Sequence, residues 1–187
     1  MRLKYHNPAG SEKAIQLLLR NTMALLLLAC AISPNPARAE ATFIQTPYTE
    51  QKVVFDFYFD DPEKINSALY WIRSLINPLL DAPYDYAPEF LDIVVVIHGT
   101  EIVTTVEKNQ HKYQDAVSRM KYYSQLGVKF KVCSLAAHDY DYQQQDFLDF
   151  IELVPSAITE LAHWQLQGYA VITPQIQDKK YRIEEIR

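Results

Sequence analysis

The residue with the greatest reactive potential in this sequence is Cys133, at the end of the apolar stretch GVKFKVC (residues 127–133). The stretch is typical of a short buried strand, and in an open α/β sheet ligands and reacting groups collect outside the carboxyl ends of the strands. If a helix begins at Ser134, the thiol lies at its positive end, where the reactive thiolate is favoured. Such a thiol can carry a persulfide or attack an electrophile.

A structural role is the competing interpretation of Cys133. Free cysteine is among the most buried residue types and packs as a small apolar side chain. Judged by residue type alone, this structural interpretation is slightly favoured.

His98 is the second candidate site residue, because it follows the apolar run FLDIVVVI (residues 90–97) at the predicted end of a neighbouring strand. An imidazole there can lend a proton or a hydrogen bond to Cys133 or to a ligand. The competing interpretation, which we favour, is a histidine that caps the strand end and bonds to the backbone.

No cofactor or metal is implied by the motifs. Residues 138–142 (HDYDY) include metal-ligating types, but their spacing matches no ligand pattern and favours a solvated acidic loop. GxGxxG, GxxxxGK[ST], GxSxG and HExxH are all missing from the chain.

The N-terminal residues have the pattern of a signal peptide. Four basic residues precede the apolar run at 23–32, and Ala37-Arg38-Ala39 fits a small-x-small cleavage site. The run is shorter than the ~20 apolar residues that span a bilayer, which disfavours a retained anchor. We therefore predict cleavage after residue 39 and a periplasmic or secreted product. Leu27-Leu28-Ala29-Cys30 also resembles a lipobox, so a lipoprotein attached through Cys30 is the minority alternative.

The predicted cleavage determines the net charge and the cysteine content of the remaining chain. Removing residues 1–39 takes away five of the 18 basic residues and one of the 23 acidic residues, which leaves a net charge of −9. The acidic balance and the lack of a Lys/Arg run argue against nucleic-acid partners. Cys133 would then be alone, so it is buried, paired between chains, or kept for its reactivity.

The hydrophobic periodicity predicts one compact α/β domain over residues 51–175, between an extended arm at 40–50 and a polar tail at 176–187. Its sheet is mainly parallel, five-stranded and flanked by helices, with flavodoxin-like layering. The predicted strands are 52–59, 90–97, 127–133, 150–154 and 169–173. The predicted helices begin at Asp61-Pro62 and fade near Asn77-Pro78, cover about 109–126 with Gly127 as C-cap, and run from 155 to 167, while residues 134–150 are irregular with short helical turns.

The blocks FLDIVVVIHG (90–99), LGVKFKVC (126–133) and IELVPSAITELAHWQLQGYAVI (151–172) occur in an order that resembles the DsrE/DsrF-like family. The resemblance covers about residues 51–175 and implies a compact parallel α/β fold that assembles as trimers or hexamers. Several members of that family are sulfurtransferase or sulfur-relay subunits whose single cysteine ends this strand, and Cys133 matches that cysteine by motif. The turn that contains His98 also matches a family pattern, whereas residues 138–142 depart from the usual continuation.

These observations lead to one functional expectation and two alternatives. We expect an exported sulfur-handling protein in which Cys133 accepts a sulfane sulfur and passes it to a thiol of a partner protein. The first alternative is a non-catalytic oligomeric binding module with a structural Cys133. The second is a lipoprotein scaffold anchored through Cys30.

Overall fold

The computed structural model describes residues 40–187. Five parallel strands form one sheet in the order β4-β3-β2-β1-β5. This confirms the predicted α/β class with a five-stranded parallel sheet flanked by helices. The strands are β1 (Gln51–Phe57), β2 (Leu91–Ile97), β3 (Lys129–Cys133), β4 (Ile151–Val154) and β5 (Ala170–Ile172).

The helices connect these strands in chain order. They are α1 (Ile65–Leu80), α2 (Gln114–Gln125), α3 (Ser134–Asp139), α4 (Ala157–Leu166) and α5 (Ile183–Ile186). Short 3-10 turns cover Pro62–Lys64, Pro88–Phe90, Thr100–Thr105, Glu107–Asn109 and Gln144–Asp146.

The sheet is apolar on both faces, because successive side chains of a strand point to opposite sides. One face carries Phe55, Phe57, Ile93, Val95, Ile97, Phe130 and Val132, and it packs against α1 and α2. The other face carries Val54, Val94, Val96 and Cys133, and it packs against Ala157 and Leu161 of α4. The near-continuous apolar run of β2 reflects burial on both sides.

The predicted end of the first helix near Asn77-Pro78 is wrong, since α1 continues through Pro78 to Leu80. Proline removes one hydrogen-bond donor, which in this last turn would have reached the carbonyl of the exposed Ser74. Burial of Leu79 against the core stabilises the turn in spite of that loss.

Other boundaries also differ from those predicted. The first strand ends at Phe57 and not at residue 59, and the second helix begins at Gln114 after a 3-10 turn and not near 109. The C-terminal tail contains the short helix α5. The predicted C-cap role of Gly127 is confirmed, because its φ of 95° lies in the left-handed region that suits glycine.

The leader and the possible lipid-attachment site at Cys30 lie outside the described residues. Residues 40–47 belong to a different unit from residues 48–187 and contain no helix or strand. Over residues 40–187, no helix has the length and apolar character needed to cross a bilayer.

Candidate functional site at the carboxyl ends of the strands

Cys133 is the last residue of β3 and the residue that immediately precedes α3. Its backbone is extended, with φ −64° and ψ 117°, and its side chain makes no capping hydrogen bond to the helix. The residue is 5% exposed and packs with Val94, Val96 and Leu161 on the α4 face of the sheet. The thiol is therefore placed where the sequence predicts, at a strand end and a helix start, but under a cover of side chains.

The side chains of β3 change from charged to apolar along the face that Cys133 shares. Lys131 Nζ lies 2.6 Å from Glu152 Oε2 of β4 and 3.4 Å from Glu160 Oε1 of α4. Lys129 Nζ lies 3.1 Å from Asp92 Oδ1 of β2. Both ammonium groups are thus paired with carboxylates. Cys133 lies beyond them on the same face, in the apolar section at the carboxyl end of β3.

His98 follows β2 directly and bonds to a carboxylate of the neighbouring strand. Its Nε2 lies 2.8 Å from Asp56 Oδ1, and its ring stacks on Tyr58 with the ring centroids 4.8 Å apart. The Thr173 hydroxyl donates to the other oxygen of Asp56, at 3.3 Å. The favoured interpretation, in which the His98 side chain bonds to the backbone, misses this partner, because the imidazole bonds to a side chain.

His98 and Cys133 occupy equivalent positions on adjacent strands. Ile97 pairs with Val132, so the next residue of each strand lies at the same level and on the same face of the sheet. Among residues 40–187, however, no hydrogen bond joins the imidazole to the thiol. The structure brings the two predicted residues to one edge without coupling them directly.

Two cavities flank α3 at this edge. One, of about 290 Å³, is lined on one side by Tyr58, His98 and Thr100 and on the other by Ala136 and Tyr140. A second cavity, of about 420 Å³, includes Ser134 and residues of the 3-10 turn that follows α3, with lining residues Ala137, His138, Tyr142, Gln143, Gln144, Phe147, Leu153 and Pro155. Cys133 lines neither cavity, so the sulfur is not part of either cavity wall.

A buried carboxylate organises the turn after His98. Glu101 is completely buried, and its two oxygens accept hydrogen bonds from the backbone N–H of Gly99 at 2.9 Å and of Phe59 at 3.0 Å. Burial raises the pKa of Glu101 above its ordinary value of 4.5, although the backbone N–H donors oppose the change. This carboxylate ties the strand end of β2 to the chain that leaves β1.

Sequence reasoning missed Asp56, Tyr58 and Glu101 at this edge. Asp56 carried a usable signal, since it is a lone acid within an apolar predicted strand and such acids usually have a buried partner. Glu101 carried none, because acidic residues in loops are usually exposed. In the described chain, residues 138–142 belong to no cluster of three or more His, Cys, Asp or Glu side chains able to hold a metal.

One solved structure agrees with this architecture. A search of curated proteins finds no match. Among solved structures, a protein of unknown function from Methanobacterium thermoautotrophicum, MTH1491, is similar in fold, with a TM-score of 0.54 and 22% identity over 66% of this chain and 99% of that one. The ychN protein from E. coli shares 16% identity with a TM-score of 0.49, over 66% of this chain and 98% of its own.

The protein-family model that matches this chain covers the whole sheet. It spans residues 51–174, from the first residue of β1 to just beyond β5, and therefore includes His98, Glu101 and Cys133. The match extends over more than half of the chain. This protein belongs to the DsrE/DsrF-like family.

Proposed function

We propose that this protein handles sulfane sulfur and that Cys133 is its persulfide carrier or the acceptor of a sulfurtransferase subunit. Membership of the DsrE/DsrF-like family suggests a sulfur-relay type of role. The observation that carries the proposal is the place of Cys133, at the carboxyl end of a central parallel strand and directly before a helix. Within the described residues it is the only cysteine.

The proposed transfer is a pair of thiol–disulfide-type exchanges in which no external oxidant is needed. The Cys133 thiolate attacks a terminal sulfur of a polysulfide, so that a new S–S bond forms on Cys133 and the shortened polysulfide leaves with the electron pair of the broken S–S bond. A thiolate of a partner protein then attacks the outer sulfur of the Cys133 persulfide. This step returns Cys133 as a thiolate and leaves the persulfide on the partner.

Access to the sulfur requires a local movement of α3 in this proposal. Cys133 is 5% exposed, whereas Leu135 on the same short helix is 64% exposed and contributes little to the core. Unwinding the first turn of a six-residue helix breaks few contacts, so such an opening belongs to the low-energy end of local unfolding. His98 assists in this scheme by exchanging a proton at Nδ1, since Nε2 is held by Asp56.

Exposure of the purified protein to polysulfide, followed by intact mass measurement, tests the proposal. We expect a gain of one sulfur atom that a reductant reverses. Cys133→Ser should abolish the gain completely, because a hydroxyl does not form a persulfide, while Cys30→Ser should keep it. Absence of the adduct, together with a thiol that alkylates only after unfolding, would exclude the carrier role.

Burial of the thiol favours a second candidate function. A cysteine packed among valines and a leucine, without a hydrogen bond from the described part of the chain, has the surroundings of a structural core residue. The protein would then be an oligomeric binding module without group transfer. The polysulfide experiment separates the two functions, since only the first gives an adduct in the folded protein.

We further propose that the protein assembles as a homo-oligomer, a trimer or a hexamer, through the surface of α4 and β5. Three large apolar side chains are exposed there: Ile158 at 70%, Leu166 at 85% and Val171 at 39%. These side chains lie on two elements that contact each other, and exposed apolar patches mark interaction surfaces in soluble proteins.

The oligomer predicts a specific response to charge on this surface. Leu166→Glu should place a carboxylate in the interface and shift the protein to a smaller species in size-exclusion chromatography with light scattering. Ile186→Glu, at a residue that is 68% exposed on α5, is the matched control and should leave the size unchanged. Equal sizes for all variants would place the interface elsewhere or show a monomer.

Export completes the proposal. Cleavage after residue 39 would deliver the protein to the periplasm or to the medium, and a lipoprotein attached through Cys30 is the alternative. The intact mass of the purified protein distinguishes them, since cleavage after residue 39 removes Cys30 whereas lipidation retains it.

A further inference from the structure

An open cleft lies on the opposite side of the sheet from Cys133, between α1, α2 and the chain that follows β5. Its volume is about 810 Å³, within the range of small-molecule sites. We call it the α1–α2 cleft.

The α1–α2 cleft is positively charged in an otherwise acidic protein. Arg73, Arg119 and Lys179 line it together with a single carboxylate, Asp115. Throughout residues 40–187, none of these three cations lies within ion-pair distance of a carboxylate, although lysines elsewhere on the molecule are paired. Unpaired cations that converge on one concave surface attract an anion.

One of the guanidinium groups is already fixed in position. Arg119 Nη1 donates to the backbone carbonyl of Asn66 at 2.9 Å, which ties α2 to α1 and uses one of the five N–H donors of the group. The donors that remain can take up a carboxylate or a phosphate in the planar geometry that arginine favours. Preorganisation of this kind reduces the entropy lost when a ligand binds.

The same cleft offers flat apolar surface beside the cations. Trp71 and Tyr70 are exposed at 39% and 57%, and the Arg73 guanidinium carbon lies 5.9 Å from the centre of the Tyr70 ring. Exposed aromatic rings next to guanidinium groups accept a planar ring by stacking.

We propose that the α1–α2 cleft binds a small organic anion that consists of an aromatic ring bearing a phosphate or carboxylate group. Arg73, Arg119 and Lys179 take the anionic group, and Trp71 and Tyr70 take the ring. This site is independent of sulfur transfer, because Cys133 faces the other side of the sheet.

Calorimetric titration of the purified full-length protein tests the cleft, with phenyl phosphate and benzoate as probes. We expect saturable binding of at least one probe, and the tighter of the two identifies the anionic group. Inorganic phosphate, which lacks the ring, should bind up to about tenfold more weakly, because stacking is worth at most about one power of ten in affinity.

Two variants of exposed residues assign the binding to the cleft. Arg73→Gln should weaken the tighter probe by about tenfold, because a charge-assisted hydrogen bond is lost. Lys179→Gln should weaken it several-fold, while its neighbour Lys180→Gln, which does not line the cleft, is the matched control and should bind as the wild type does. Cys133→Ser should also bind normally.

The opposite results overturn the proposal. Absence of saturable binding of both probes up to millimolar concentrations would exclude the site. So would an Arg73→Gln variant that binds the tighter probe as strongly as the wild type does. Equal affinity for phenyl phosphate and inorganic phosphate would likewise exclude the role of the aromatic rings.

Discussion

Glu101→Gln should destabilise the protein by about 2–3 kcal/mol at neutral pH, a large effect for a change of one atom. The carboxylate accepts one backbone hydrogen bond on each oxygen, from Gly99 and from Phe59. A glutamine side chain retains one acceptor oxygen and turns its NH₂ group toward the other backbone N–H. Two buried donors then face each other, and neither has an acceptor. For a chain of this length the melting temperature should fall by about 5–10 °C.

The pH dependence of this difference provides a second readout. Since burial raises the pKa of Glu101 in the folded state, protonation of this side chain adds stability that is fully present below pH 4.5 and is lost as pH rises through the folded pKa. The two backbone hydrogen bonds to Glu101 contribute in addition to this proton-linked part. The free energy of unfolding of the wild type should therefore exceed that of Glu101→Gln most strongly at low pH. The difference between the two proteins should become smaller as pH rises. Glu107→Gln, on an exposed residue six positions along the chain, is the control and should change stability by less than about 0.5 kcal/mol. A gap that widens with pH would show that the fold prefers the ionised carboxylate.

Gly99→Ala should cost about 3 kcal/mol or more, because the new methyl group has no space. A Cβ at this position would lie 2.4 Å from the backbone nitrogen of Phe59 and 2.6 Å from its carbonyl oxygen. It would also lie 2.5 Å from Glu101 Oε2. The clash with backbone atoms is relieved only if the strand ends move apart, which also breaks the hydrogen bonds to Glu101. Urea denaturation measures the loss of free energy of unfolding.

Gly127→Ala is the matched control for this prediction. A Cβ on Gly127 meets no atom within 4 Å, so its only cost is the left-handed backbone, about 1 kcal/mol. We therefore expect Gly99→Ala to be the more damaging substitution by a wide margin. Equal costs would mean that the turn between β2 and Thr100 is loose enough to accept a side chain.

The sequence was most informative where one local pattern decides the structure. The apolar run of β2, the helical spacing of α1 and the glycine after α2 were all recognisable, because each depends on neighbours within a few residues. The end of α1 was not, since it rests on burial of Leu79 in the core rather than on the proline that precedes it.

In the candidate site, too, some features follow from local sequence and others from contacts between distant parts of the chain. Parallel strands that end at one edge placed Cys133 and His98 side by side, and this follows from the sheet alone. The partners of these residues depend on the register between distant strands. Asp56 reaches His98 because β1 pairs with β2, and the burial of Cys133 depends on where α4 crosses the sheet.

The pairing of β5 with β1 also determines how late in folding the sheet can be completed. The contact between Thr173 and Asp56 joins positions 117 residues apart, and β1 acquires this second neighbour only when nearly the whole chain is available. The chain loses conformational entropy when so long a loop closes, and it does so before the contacts between β1 and β5 offset that loss. Folding is slower for this reason. Until then β1 presents an unpaired edge of Val, Phe and Asp residues to other chains, so a chain that ends before Ala170 is expected to aggregate rather than to form a smaller sheet.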